Sequence, residues 1–165
     1  MEKFGNKQGE IIVEFYNIYK TKIGSILIKE ENEKIVQIKI IKEEKETLAK
    51  KQETALIKEA YLQIQEYLEQ KRRKFTLPLL LKGTNFQMKV WQALRTIPYG
   101  ETRSYEEIAK QIGNSKAARA VGMANHNNPI LIVVPCHRVI GKNNKLVGFG
   151  AGLEVKQALL EIENM

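Results

Sequence analysis

The sequence predicts an α+β protein of two small domains: an amino-terminal α/β unit over residues 1–80 and a mainly helical carboxy-terminal domain over residues 84–165, built around a helix-turn-helix outline. Three observations predict it. β-Branched runs cluster before residue 42, the pattern changes to short capped helices after Gly83, and a basic stretch containing Pro78 separates the two regions. With 165 residues, 43% hydrophobic and 28% charged, the chain can bury a real core without disulfides or metals.

In the first half, "EIIVEFYNIYK", "GSILIKE" and "KIVQIKII" are β-branched and aromatic, partly alternate, and are separated by polar or Gly-containing breaks, so three strands are expected. From Glu46 to about Gln70, Leu56, Ala60, Ile64, Tyr67 and Leu68 recur at helical spacing. "QKRRKFTLPLLLKG" then reads as a solvated turn before an edge strand and marks the domain boundary.

After Gly83, "TNFQ" is a Thr-x-x-Gln capping box that opens a helix through Trp91 and Leu94, stopped before Pro98 and Gly100. "SYEE" repeats the device with Ser104 and Glu107, and its helix ends at Gly113 and Asn114. Ser115 is expected to cap a third helix, "KAARAVGMAN". Two short helices joined by a tight Gly-containing turn outline a helix-turn-helix. The second is almost bare of bulk: Ala117, Ala118, Ala120, Gly122 and Ala124 surround Arg119, with Lys116 at the start. Small residues permit close packing on a neighbouring helix, but an Arg among them suits close approach to a groove better.

The only cysteine lies in "NPILIVVPCHRVIG". "ILIVV" reads as a buried strand that Pro135 must end, which sets Cys136 just beyond a rigid element. Cys136 is either an inert buried thiol or a nucleophile held beside His137. In an extended segment neighbouring side chains point to opposite faces, so a bridging water is the easier link between them. The chain has no aspartate, so a carboxylate orienting the imidazole must be a glutamate; Glu161 and Glu163 are the candidates. Further on, "GKNNK" reads as a hairpin turn and "GFGAG" as a flexible loop. The last helix presents Leu153, Leu159 and Leu160 on its apolar side.

Composition narrows the function classes. Asp-dependent catalysis and Asp-rich metal sites are excluded, and one Cys with two His leaves no expected structural zinc. No apolar stretch approaches the roughly 20 residues that span a bilayer, and the start resembles no signal peptide, so a cytoplasmic protein is expected. The net charge of +8, with +3 in residues 1–80 and +5 in residues 81–165, fits a polyanionic partner or a Lys-rich solvated surface.

Taken together, "PCHRVIG" with its upstream "NP", "YGETRSYEEIA", "KAARAVGMAN" and "GFGAGLEVKQALLEIE" resemble the O6-alkylguanine-DNA alkyltransferases, also called methylated-DNA–protein-cysteine methyltransferases, in order and spacing over residues 84–163. The resemblance implies a ribonuclease-H-like first domain and a winged helix-turn-helix-like DNA-binding motif. It implies DNA repair by a single, irreversible transfer of an alkyl group from guanine O6 to Cys136, with alkylated thymine left open as a second substrate. His137, through a water, would take the thiol proton and Glu163 would orient the imidazole. Asn128 would brace the turn, and Tyr105 would contact the flipped nucleotide and polarise guanine N3. Arg119 would fill the vacated stack, with Ser115, Lys116, Ala118 and Gly122 along the minor groove. Val139, Phe149, Gly150 and Ala151 would line the alkylguanine pocket with Tyr105, and the backbones of Cys136 and Val139 would meet the base edge.

The chain departs from the family at two places. Phe149 stands where Tyr is common, and Gly150 stands where a Ser or other polar residue is frequent. The implied partner is alkylated double-stranded DNA, read with little sequence specificity by a monomer, with no metal, cofactor or membrane. With no second thiol to accept the alkyl group, the protein should act once. The rival readings are an alkyltransferase-like damage sensor, a Cys-His-Asn hydrolase using Cys136, His126 or His137, and Asn128, and a plain helix-turn-helix regulator.

Overall fold

The computed structural model describes residues 3–5, 9, 11–45 and 47–164. It divides into two compact units, Met1–Leu80 and Leu81–Met165.

In the first unit, β1 (Lys3–Gly5), β2 (Ile11–Thr21), β3 (Gly24–Glu31) and β4 (Lys34–Ile41) form an antiparallel meander in that order, and the short β5 (Lys50–Lys51) adds parallel to β2. The β-branched runs pair because each is long enough for a ladder and the breaks between β2, β3 and β4 are two-residue turns. α1 (Ala55–Leu68) buries Ile57, Ala60, Ile64, Tyr67 and Leu68, and Tyr61 stacks on Tyr19 with ring centroids 4.0 Å apart. This helix starts nine residues later than its periodicity suggests. Thr54 caps it by accepting from the Ile57 N–H at 3.1 Å, while Lys50 and Lys51 just upstream join the sheet.

The second unit begins with α2 (Asn85–Leu94), whose Thr84–Gln87 capping box closes at 3.1 and 2.9 Å. Buried Trp91 donates to the Ala124 carbonyl at 2.9 Å, tying α2 to the helix that follows the turn. β6 (Arg103–Ser104) leads into α3 (Tyr105–Gln111), capped by Ser104 and Glu107 at 3.1 and 2.7 Å. Gly113, at φ +82°, ends it. α4 (Ala118–His126) completes the helix-turn-helix. Ser115 does not cap it: the Ala117 N–H donates to the Asn114 carbonyl at 3.1 Å, so Ser115 is spent inside the turn and Ala117, with no capping side chain, stands at the N-cap of α4.

The "ILIVV" run is not a strand. Residues 131–133 form a turn in which Val134 N–H donates to Ile130 O at 3.0 Å, and Ile132 takes the left-handed region at φ +72°. Such a conformation costs a β-branched residue about 1–3 kcal/mol. Burial of Ile130, Ile132 and Val134 opposes that cost, and so does the Asn128 amide, which spans the turn. Cys136–Arg138 then form one 3₁₀ turn, and β7 (Val139–Ile140) pairs parallel with β6. In "GKNNK", Lys142–Asn144 form a second 3₁₀ turn with Lys145 N–H donating to Lys142 O at 3.3 Å, and Gly141 N–H donates across it to Lys145 O at 2.8 Å; the reversal joins no pair of strands among the described residues. In α5 (Leu153–Asn164) the buried stripe is Lys156, Leu159, Ile162 and Glu163, and Leu153 is exposed. Two charged residues therefore sit where an apolar face was expected. They belong to the site.

Candidate active site

Cys136 is buried at the first position of the 3₁₀ turn, directly after Pro135. Asn128 holds the approach: its Nδ2 donates to Val134 O at 2.7 Å, and its Oδ1 accepts from Ile130 N–H at 3.0 Å. A 3₁₀ turn, not an extended segment, carries Cys136 and His137, so their side chains diverge by about a third of a turn instead of pointing to opposite faces. The Cys136 N–H donates within the tight turn to Val134 O at 2.9 Å.

His137 is fully buried, and its Nε2 lies 2.8 Å from Glu163 Oε1. Of the two candidate carboxylates, Glu163 faces the imidazole; Glu161 is exposed and accepts from Gln157 at 2.9 Å. Sequence reasoning missed the rest of the cluster. Arg138 forks onto Glu163, with Nη2 to Oε1 at 2.8 Å and Nε to Oε2 at 3.0 Å, and its Nη1 donates to Ile97 O at 2.8 Å. The Gly100 N–H adds a longer contact to Glu163 Oε2 at 3.3 Å. Burial alone would raise the Glu163 carboxyl, but the hydrogen bonds from His137 and Arg138 outweigh it and hold its pKa down at about 2. Burial also lowers the His137 pKa, aided by the Arg138 and Lys156 charges and opposed by Glu163. The resting pair is an ionised Glu163 and a neutral His137. Nε2 therefore carries the proton, and Nδ1 is left as the basic nitrogen.

Lys156 is the second group the sequence did not announce. Its ammonium is fully buried and donates to the carbonyls of Val139, at 2.5 Å, and Val147, at 3.0 Å. Tyr105 Oη donates to the same Val147 carbonyl at 2.9 Å, and Lys156 Nζ lies 5.9 Å from the Tyr105 ring centroid. One carbonyl thus anchors the 141–152 loop to both α3 and α5. Burial lowers the Lys156 pKa to about 8, with Cys136 opposing. Burial pushes the Cys136 thiol up to about 11, offset in part by the Asn128 hydrogen bond and the Lys156 charge. Burial, then the Cys136 charge, raises Tyr105, which keeps its hydroxyl a donor.

Cys136, His137, Glu163 and Asn128 therefore gather around the 3₁₀ turn, and Tyr105 and Val139 join them through Lys156. Phe149 is half-buried in the loop, with its carbonyl accepting from Gly152 N–H at 3.0 Å; Gly150 is exposed and Ala151 half-buried. A Cβ on Gly122 would lie 3.7 Å from the Tyr105 ring, so a small residue there lets α4 sit against Tyr105. Arg119 projects into solvent from α4, Ala118 is half-buried, and Lys116 and Ser115 are exposed in the turn before it. Among the described residues no cluster of three His, Cys or Glu could hold a metal, and no helix is long and apolar enough to cross a membrane.

Known proteins match both units. Residues 15–81 match the family model described as the 6-O-methylguanine DNA methyltransferase ribonuclease-like domain, and residues 85–165 match the model described as the DNA binding domain of that family. The constitutive methylated-DNA--protein-cysteine methyltransferase of Bacillus subtilis is 48% identical, over 92% of this chain and 96% of its own. Its counterpart from Methanosarcina acetivorans is 45% identical, over 90% and 97%. A crystal structure of Mycobacterium tuberculosis OGT in complex with DNA is similar with a TM-score of 0.86 and 44% identity, covering 91% of this chain and 92% of that one. With relatives this similar over nearly their whole length, the chain belongs to the 6-O-methylguanine DNA methyltransferase family.

Proposed function

We propose that this protein repairs DNA by moving an alkyl group from O6 of guanine to Sγ of its own Cys136, once per molecule. The observation that carries the reading is the buried Cys136 beside a neutral His137 that Glu163 and Arg138 hold in one tautomer. A thiol pushed up to about 11 is a poor nucleophile at neutral pH, so its proton must leave as the reaction begins. His137 Nδ1 takes it through a bridging water, and the Glu163 carboxylate steadies the imidazolium. The thiolate forms the S–C bond as the C–O6 bond breaks. Tyr105, turning its hydroxyl from Val147 O, gives a proton to N3 of the departing guanine. The product is a thioether, and no second cysteine can accept its alkyl group.

The DNA partner on this reading is an alkylated duplex, met in the minor groove by α4 of a monomer, with the damaged base turned out of the stack. Arg119 fills the gap; Lys116, Ser115, Ala118 and Gly122 lie along the groove. Val139, Phe149, Gly150 and Ala151 line the base pocket. A lone reactive thiol also wants a reducing compartment, which the cytoplasm supplies. A Cys-His-Asn hydrolase fits less well, because the Asn128 amide bonds Val134, Ile130 and the Cys136 thiol and a glutamate orients the imidazole.

The test is incubation with duplex DNA carrying O6-methylguanine, followed by peptide mapping. The expected result is a gain of one methyl group on the Cys136 peptide, one equivalent per protein, with unmodified guanine left in the DNA. No gain on that peptide would overturn the reading.

A further inference from the structure

α4 buries Val121, Ala124 and Asn125 against its own unit. Its outer stripe is Arg119, Ala120, Met123, His126 and Asn127, all exposed, at the three- and four-residue steps that put side chains on one helical face. Met123 is the one large apolar side chain in that stripe, and it is 63% exposed. A single exposed apolar residue ordinarily needs no explanation. This one stands on the same face as Arg119, one turn further along, with Ala118, Ala120, Gly122 and Ala124 flanking the two.

We propose that Met123 is an apolar wedge that enters the minor groove beside Arg119 and holds apart a base-pair step within two of the one that loses its base. The inference rests on the DNA-repair reading given above. Four helical residues rise about 6 Å, more than one base-pair spacing of about 3.4 Å, so Arg119 and Met123 address different steps, not the same one. The two side chains divide the work chemically. A guanidinium can replace the hydrogen bonds of a departed base, whereas an unbranched, polarizable thioether can slide between base planes and replace only their stacking. Ala120 adds no bulk between them. Gly122, next to Met123, faces Tyr105, a Cβ there falling at an ordinary contact distance of 3.7 Å from the ring, so the wedge and the residue assigned to the flipped nucleotide share one short segment of backbone.

The experiment compares the parent protein, Met123→Ala and Met123→Leu in single-turnover methyl transfer from a duplex with one O6-methylguanine and from free O6-methylguanine. The ratio of the two rates is the readout, since only the duplex must be opened. A second readout is the fluorescence of 2-aminopurine placed next to the lesion, measured in Cys136→Ser versions so that the complexes persist. Met123→Ala should lower the ratio roughly tenfold and reduce the 2-aminopurine signal, and Met123→Leu should restore most of both. An unchanged ratio with an unchanged fluorescence signal would overturn the wedge. Equal losses on both substrates would overturn it too, because they place the effect on the chemistry or the fold. If the parent protein itself transfers no methyl group from either substrate, it is the repair reading that fails.

Discussion

Glu163 Oε1 lies 2.8 Å from His137 Nε2 with both side chains buried, and the same carboxylate receives the fork of Arg138. The carboxylate fixes which imidazole nitrogen is basic and balances a largely buried guanidinium. Replacing it with glutamine removes the negative charge but keeps the shape. We expect Glu163→Gln to slow single-turnover methyl transfer by roughly 10- to 100-fold, as loss of an orienting partner does elsewhere. It should also destabilise the carboxy-terminal unit by about 3–5 kcal/mol, because Arg138 is left buried without its counter-charge. Stopped transfer assays and denaturant melts measure the two effects separately.

The same cluster sets the acid limit of the fold. Glu163 ionises at about 2 in the folded chain against an ordinary 4.5, so below pH 4.5 the unfolded chain binds more protons than the folded one. Its stabilisation is fully present above pH 4.5 and is lost as pH falls towards 2, amounting to about 3 kcal/mol. His137 acts in the same direction, since its folded-state pKa is depressed below the ordinary 6.5 and the unfolded imidazole protonates first. Thermal melts should decline with acid from about pH 6.5, and Glu163→Gln should flatten the portion below pH 4.5.

The sequence made the helix-turn-helix legible because two capping boxes, Thr84–Gln87 and Ser104–Glu107, mark helix starts with side-chain chemistry that needs no tertiary context. The β2–β3–β4 meander was legible for a similar local reason, its alternation and short breaks. What failed depended on partners distant in the chain. "ILIVV" has every local mark of a strand, yet Asn128 captures both ends of the segment and folds it into a turn. The sequence singled out Cys136, His137 and Glu163 as candidates, but it did not single out Arg138 and Lys156. Their signal was faint: Lys156 falls three residues before Leu159 on the buried stripe of α5, where an exposed lysine would not belong.

His137 should be the reason that transfer is fast at neutral pH. With the Cys136 thiol pushed up to about 11, a variant without the imidazole must rely on solvent hydroxide to form the thiolate. Single-turnover rates of His137→Ala are expected to be roughly 100-fold below the parent near neutral pH and to climb steadily with pH, whereas the parent profile stays nearly flat. A parallel decline with no recovery at high pH would contradict the base role.

On the proposed reading, Arg119 acts only where a base must leave a stack. Arg119→Ala should slow transfer from duplex DNA far more than from free O6-methylguanine, and should weaken duplex binding. If Arg119 also neutralises a phosphate, the slope of log affinity against log salt should fall by about 0.9. Equal slowing on both substrates would place Arg119 outside the interface.

Lys156 offers the most separable prediction, because its loss removes donors without leaving a hole. Methionine matches its length, so Lys156→Met keeps the packing of α5 while Val139 O loses a buried donor and Val147 O keeps only the Tyr105 hydroxyl. An unmade carbonyl bond costs about 1–3 kcal/mol, but removing a buried charge returns much of that, so stability near neutral pH should change by only about 1 kcal/mol. The pH dependence is diagnostic. The folded ammonium loses its proton near 8, the unfolded one near 10.5, so within that window the unfolded chain binds more protons and the parent gains stability as pH rises. Lys156→Met lacks this gain, and its melting temperature should fall behind the parent's between pH 8 and 10.5. Hydrogen exchange should show faster amide exchange across residues 141–152 in the variant, since one of the two anchors on Val147 is gone. Unaltered exchange in that loop would mean that the Tyr105 hydroxyl alone keeps it closed.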